Sequence, residues 1–88
     1  MTTITVTKEH IKHGKRGSCC LCPVALACEA AGFTQVWIEP GHFMLDKQPV
    51  APPLKVDFWI NRFDRGEKVR PMKFQVDCQP ASVTTSPP

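Results

Sequence analysis

No apolar run in this chain of 88 residues approaches the roughly 20 residues that a membrane-spanning helix needs. The opening segment, Met1-Thr2-Thr3-Ile4-Thr5-Val6, has neither the basic stretch nor the apolar stretch of a secretory signal. A cytoplasmic protein is therefore expected, with its thiols kept reduced and no membrane partner. The cysteines number five, an odd and clustered set, which argues against a disulfide framework. No glycine-rich phosphate loop appears, and Ser18 lacks the surroundings of a nucleophile elbow. The eight acidic residues form no recognisable pair, and Asp64, just before Arg65-Gly66, reads as an organiser of that turn rather than a base. These absences point away from an enzyme. A net charge of +3 is smaller than a dedicated nucleic-acid binder carries and has the wrong sign for a DNA mimic. There is no internal repeat.

What the chain does have is Ser18-Cys19-Cys20-Leu21-Cys22-Pro23-Val24-Ala25-Leu26-Ala27. Cys19 and Cys22 are spaced so that both sulfurs reach one ion, and His10 and His13 fall on one side of a helical turn. A tetrahedral zinc site from Cys19, Cys22, His10 and His13 is one reading, with Cys28 and Cys78 as alternative ligands. Zinc is the candidate cofactor. A helix beginning at Pro23 places Cys22 at its N-terminus, where the dipole favours a thiolate. That also allows thiol redox chemistry, although no strand leads into the motif and the following helix is short. The bland reading is that these thiols pack as small apolar groups around a loop.

Basic residues fall in two groups. Lys8, Lys12, Lys15 and Arg16 lie beside the histidines, and Arg62, Arg65, Lys68, Arg70 and Lys73 are diluted by Asp64 and Glu67. Such groups usually form a solvated face, and the other reading is contact with a polyanion. Trp37 alternates away from Val36 and Ile38, so it is expected on an outer sheet face, where an aromatic anchors a partner.

Periodicity supplies the architecture. Ile4 and Val6 alternate with threonines in a strand, and Thr7 caps a helical turn over 8–13 that Gly14 ends. Residues 23–31 read as a short helix with Gly32 beyond it. Residues 35–38 and 42–46 form a hairpin around a Pro40-Gly41 type II turn. Residues 48–53, with three prolines, read as a stiff connector. Val56, Trp59, Ile60 and Phe63 then form one helical stripe, closed by Gly66. Met72, Phe74 and Val76 make the last strand. The expected fold is α+β, a small four-stranded, mostly antiparallel sheet with two helices on one face. Its order is βαββαβ, of which a ferredoxin-like arrangement is one form. Residues 1–78 form the single domain, and 79–88 read as a disordered, proline-rich tail.

His10-Ile11, Gly14, Cys19-Cys20-Leu21-Cys22 and Pro23-Val24-Ala25-Leu26-Ala27 resemble the opening of a family of small uncharacterised bacterial and bacteriophage proteins. The second half is similar to it at Trp59-Ile60-Asn61-Arg62-Phe63-Asp64-Arg65-Gly66, Val69, Pro71 and Phe74. His13 and Cys20 lie outside that pattern. The resemblance brings no activity, and it implies a phage or mobile-element setting. The expected function is a small non-catalytic module that binds an as yet unidentified protein through Trp37. The alternative is a nucleic-acid-binding module that uses Lys8, Lys12, Lys15 and Arg16 around a zinc-organised Cys/His loop.

Overall fold

Two periodicities divide the chain, period two in strands and 3.6 in helices. The computed structural model describes residues 2–39 and 41–78. They run β1 (Thr2–Val6), α1 (Lys8–His13), α2 (Pro23–Ala30), β2 (Val36–Glu39), β3 (His42–Leu45), β4 (Gln48–Val50), α3 (Leu54–Asp64) and β5 (Met72–Val76). The α+β class holds. The single four-stranded sheet with two helices does not form, nor does its ferredoxin-like version. The described strands divide into two antiparallel sheets, β1–β5 and β2–β3–β4, accompanied by three helices. The tail expected over 79–88, and the Pro40 half of the hairpin turn, lie outside the described residues.

Two local features account for the difference. The first is β4, in the stretch expected to be a connector. Asp46 and Lys47 take left-handed conformations (φ 51° and 69°) and turn the chain back so that Leu45 faces Gln48. Two positive φ values in a two-residue loop match the twist of paired strands. Pro49 is tolerated because β4 is an edge strand, where a missing N–H need not break the ladder. The second is α1, which a reciprocal cap makes a helix in its own right. The Thr7 hydroxyl accepts from the His10 N–H at 3.2 Å, and His10 Nδ1 accepts from the Thr7 N–H at 3.1 Å.

The sheets face each other through their apolar sides. Ile4, Val6, Phe74 and Val76 come from one, and Ile38, Phe43, Leu45 and Val50 from the other, all buried. Phe43 meets Phe74 edge to face, with ring centroids 6.3 Å apart. Helix α2 packs against β1, β2 and α1 with Val24, Ala25, Ala27 and Cys28 buried, its small residues allowing close approach.

Gly14 follows α1 in extended conformation (φ −71°, ψ 152°) rather than in the left-handed one of a glycine cap. Its need for glycine is steric. A Cβ at position 14 would stand 2.5 Å from Pro23 Cδ and Cγ. Gly14→Ala is therefore expected to cost about 1–3 kcal/mol in urea titration, the range for overpacking. A loss under about 0.5 kcal/mol, typical of an exposed site, would show that Pro23 yields.

Helix α3 buries Val56, Ile60 and Phe63, as its stripe predicts. Trp59 is half-buried. It stacks on Phe63 at 5.9 Å and donates its indole N–H to the Arg70 carbonyl at 2.8 Å.

Candidate functional site

Burial of one side of β2–β3–β4 forces the alternate side chains outward. Trp37 faces Met44, and Met44 faces Pro49, so the three form one row across the outer face of the sheet. Trp37 is 47% exposed. With Gln35, Val36 and Lys47, Trp37 and Met44 line a shallow groove of about 310 Å³. The exposed Glu39–His42 pair lies further along the same hairpin. An apolar centre with a polar margin is the anatomy of a protein interface.

The face is held at several points. Asp46 Oδ1 accepts from the Thr34 N–H (2.9 Å), the Thr34 hydroxyl (3.0 Å) and the Gln35 N–H (2.7 Å), which fixes the entry of β2 to the β3–β4 turn. The Ile38 N–H donates to the Cys19 carbonyl at 2.7 Å, so the cysteine loop covers part of the β2 edge. The Gly41 N–H donates to Asp57 Oδ1 at 2.7 Å and braces the hairpin turn against α3. Trp37 is where sequence reasoning placed it. Met44 and Pro49 were missed; the expected hairpin already sets Met44 opposite Trp37, whereas Pro49 needs the third strand.

The four expected zinc ligands are not brought together. His10 Nδ1 is occupied by its capping bond, and His13 Nε2 pairs with Glu9 at 3.4 Å on the surface. Cys22 is buried as the N-cap of α2, with its sulfur accepting from the Ala25 N–H at 3.4 Å, while Cys19 points to Cys20, Sγ to Sγ 3.2 Å. Among the described residues no group of three or more His, Cys, Asp or Glu side chains is placed to hold a metal ion. The expectation of a thiolate at Cys22 is also corrected. Burial raises its pKa, and this outweighs the opposing hydrogen bonds from Ala25 and Val24. Burial likewise pushes Cys28 up to about 12.

The basic residues separate. Lys12, Lys15 and Arg16 line one groove of about 430 Å³ with Ile11 and Phe63. Lys8 lines another, with Val6, Pro71, Met72 and Lys73. Asp64 organises the Arg16–Gly17 loop. Its Oδ1 accepts from the Gly17 N–H at 2.9 Å, and Arg16 packs over Gly66. A further apolar exposure lies on α3, where Leu54 (71%) and Phe58 (64%) stand one turn apart.

No helix among the described residues is long and apolar enough to cross a membrane. No family model, curated protein or solved structure matches the chain.

Proposed function

We propose that the chain is a small non-catalytic protein-interaction module that docks a partner on the outer face of β2–β3–β4. One observation carries this reading: Trp37, Met44 and Pro49 form a continuous outward row on strands whose reverse sides are buried. An aromatic on a braced sheet binds with little loss of side-chain freedom, because its backbone is already fixed. The setting is the cytoplasm of a bacterial host, as an accessory of a phage or mobile element, in keeping with the resemblance of its cysteine loop and α3 segment.

The competing reading is nucleic-acid binding. The convergence of Lys12, Lys15 and Arg16 on one groove favours it, without the zinc-organised loop first expected. The two surfaces are separate in sequence and fold, so mutation distinguishes them. Trp37→Ala is expected to weaken capture of the protein partner by about 2 kcal/mol, as for a buried aromatic anchor. Lys15→Ala combined with Arg16→Ala should cost less, since exposed charges contribute little and are screened by salt. The measurement is affinity capture from the native host, followed by calorimetry with the captured partner at two salt concentrations. If the basic double variant alone abolishes binding, and salt does the same to the wild type, nucleic acid is the partner.

A further inference from the structure

The sequence directs attention to Cys19 and Cys22, yet the structure pairs Cys19 with Cys20. Their sulfurs are 3.2 Å apart and both residues are half-buried, within reach of small solutes. Cys22 and Cys28 are buried in the core. The loop bearing the pair is tied at both ends and along its length by hydrogen bonds. The Lys15 N–H donates to the Leu21 carbonyl at 2.8 Å, and the Ile38 N–H to the Cys19 carbonyl at 2.7 Å. The Ser18 hydroxyl accepts from the N–H groups of Cys20 (3.3 Å) and Leu21 (2.9 Å). Cys22, directly after the loop, is locked as the cap of α2. Two soft donors are thus held together before any ligand arrives, so binding need not order them.

Their spacing selects the ligand. Adjacent Cα atoms lie about 3.8 Å apart across a trans peptide. Ordinary disulfides span roughly 4.4–6.8 Å between Cα atoms, so a bond between these neighbours is strained. A linear two-coordinate metal ion needs its sulfurs on opposite sides, which this pair does not offer. A pyramidal acceptor with a narrow angle between its bonds fits both sulfurs from one side. Thiols take soft acceptors in preference to hard ones. We propose that Cys19 and Cys20 form a bidentate dithiol site for trivalent arsenic, as arsenite or a monosubstituted organic arsenical.

Binding is a substitution at arsenic without change of oxidation state. Each new sulfur–arsenic bond replaces one arsenic–hydroxyl bond, and each thiol proton leaves with that hydroxyl as water. Arsenite, or an organic arsenical in its dihydroxy form, releases two waters per site; an arsine oxide releases one, its single oxygen taking both thiol protons. Cys20 holds its proton more tightly than a free thiol, chiefly through its contact with Cys19.

The test uses the full chain, kept reduced by a phosphine, and phenylarsine oxide as the probe. Native mass spectrometry is expected to show one adduct that resists excess monothiol and is released by a 1,2-dithiol. The adduct should protect both Cys19 and Cys20 from alkylation, a readout that needs no variant. Cys19→Ser and Cys20→Ser should each lose affinity by about 10²–10⁴-fold, the gain that a second linked contact provides. Cys22→Ser and Cys78→Ser should retain it. Release by monothiol, protection of Cys22 instead of Cys20, or undiminished affinity in either of the first two variants would overturn the site.

Discussion

Phe43→Ala is expected to lower folding stability by about 3–5 kcal/mol, the range for truncating a buried phenylalanine. Phe43 is fully buried, lies opposite Ile38 on one side and Val50 on the other, and meets Phe74 edge to face at 6.3 Å. That ring contact joins β3 of one sheet to β5 of the other. The two sheets share no hydrogen-bonded ladder, so side-chain packing of this kind holds them together. Its loss leaves a cavity at the junction, which adds to the lost transfer energy. Met44→Ala, on the next residue and the opposite face, should change stability by no more than about 0.5 kcal/mol. It should nevertheless weaken docking, since Met44 stands between Trp37 and Pro49. Urea titration of both variants gives the comparison. A larger loss at Met44 than at Phe43 would mean that the faces of β3 are assigned the wrong way round.

Most elements were legible because their signals are local. Thr7 and Gly14 bracket α1, Pro23 opens α2, and the Val56–Ile60–Phe63 stripe faces inward as its spacing requires. The alternation of Met72, Phe74 and Val76 similarly places Phe74 and Val76 inside. The sheet arrangement was not legible, because it depends on which strands pair. Gln48–Val50 looked like a connector, since a proline at its centre masks a three-residue strand. Only the positive φ values at Asp46 and Lys47 reveal the turn that pairs it with β3. Once that third strand forms locally, β2–β3–β4 is complete as a meander and β1 is left to pair with β5.

The candidate site divides in the same way. The outward position of Trp37 follows from period two alone, whereas its neighbours Met44 and Pro49 required the strand register. The metal reading assumed that spacing brings ligands together. His10 instead completes the cap of its own helix, and Cys22 caps the next one, so local backbone donors use those groups first. Of the bracing carboxylates, Asp64 was legible as a turn organiser but not in its partner, and Asp57 only as an acidic residue. Asp57 reaches Gly41, and Asp64 reaches Gly17 across 47 positions of sequence.

Those two carboxylates give the consequences of a second core substitution. Ile60→Ala is expected to cost about 2–5 kcal/mol, and Asn61→Ala, exposed on the other side of α3, under about 0.5 kcal/mol. Asp57 and Asp64 lie two helical turns apart, each one residue beyond a buried member of the stripe, Val56 and Phe63. Ile60 sits between them and holds the helix to the core. Loosening it should therefore release both loops that the carboxylates hold. Amide hydrogen exchange should accelerate at Gly41, on the docking hairpin, and at Gly17, beside the cysteine loop. Denaturant titration gives the stability difference, and exchange in native buffer gives the local effect. If Ile60→Ala and Asn61→Ala cost the same small amount, the helix is rotated from the orientation described. If stability falls but exchange at Gly41 and Gly17 follows only global unfolding, the carboxylates do not couple α3 to these loops. A local acceleration at both glycines is the expected result, because each amide has its hydrogen bond to a side chain carried by that one helix.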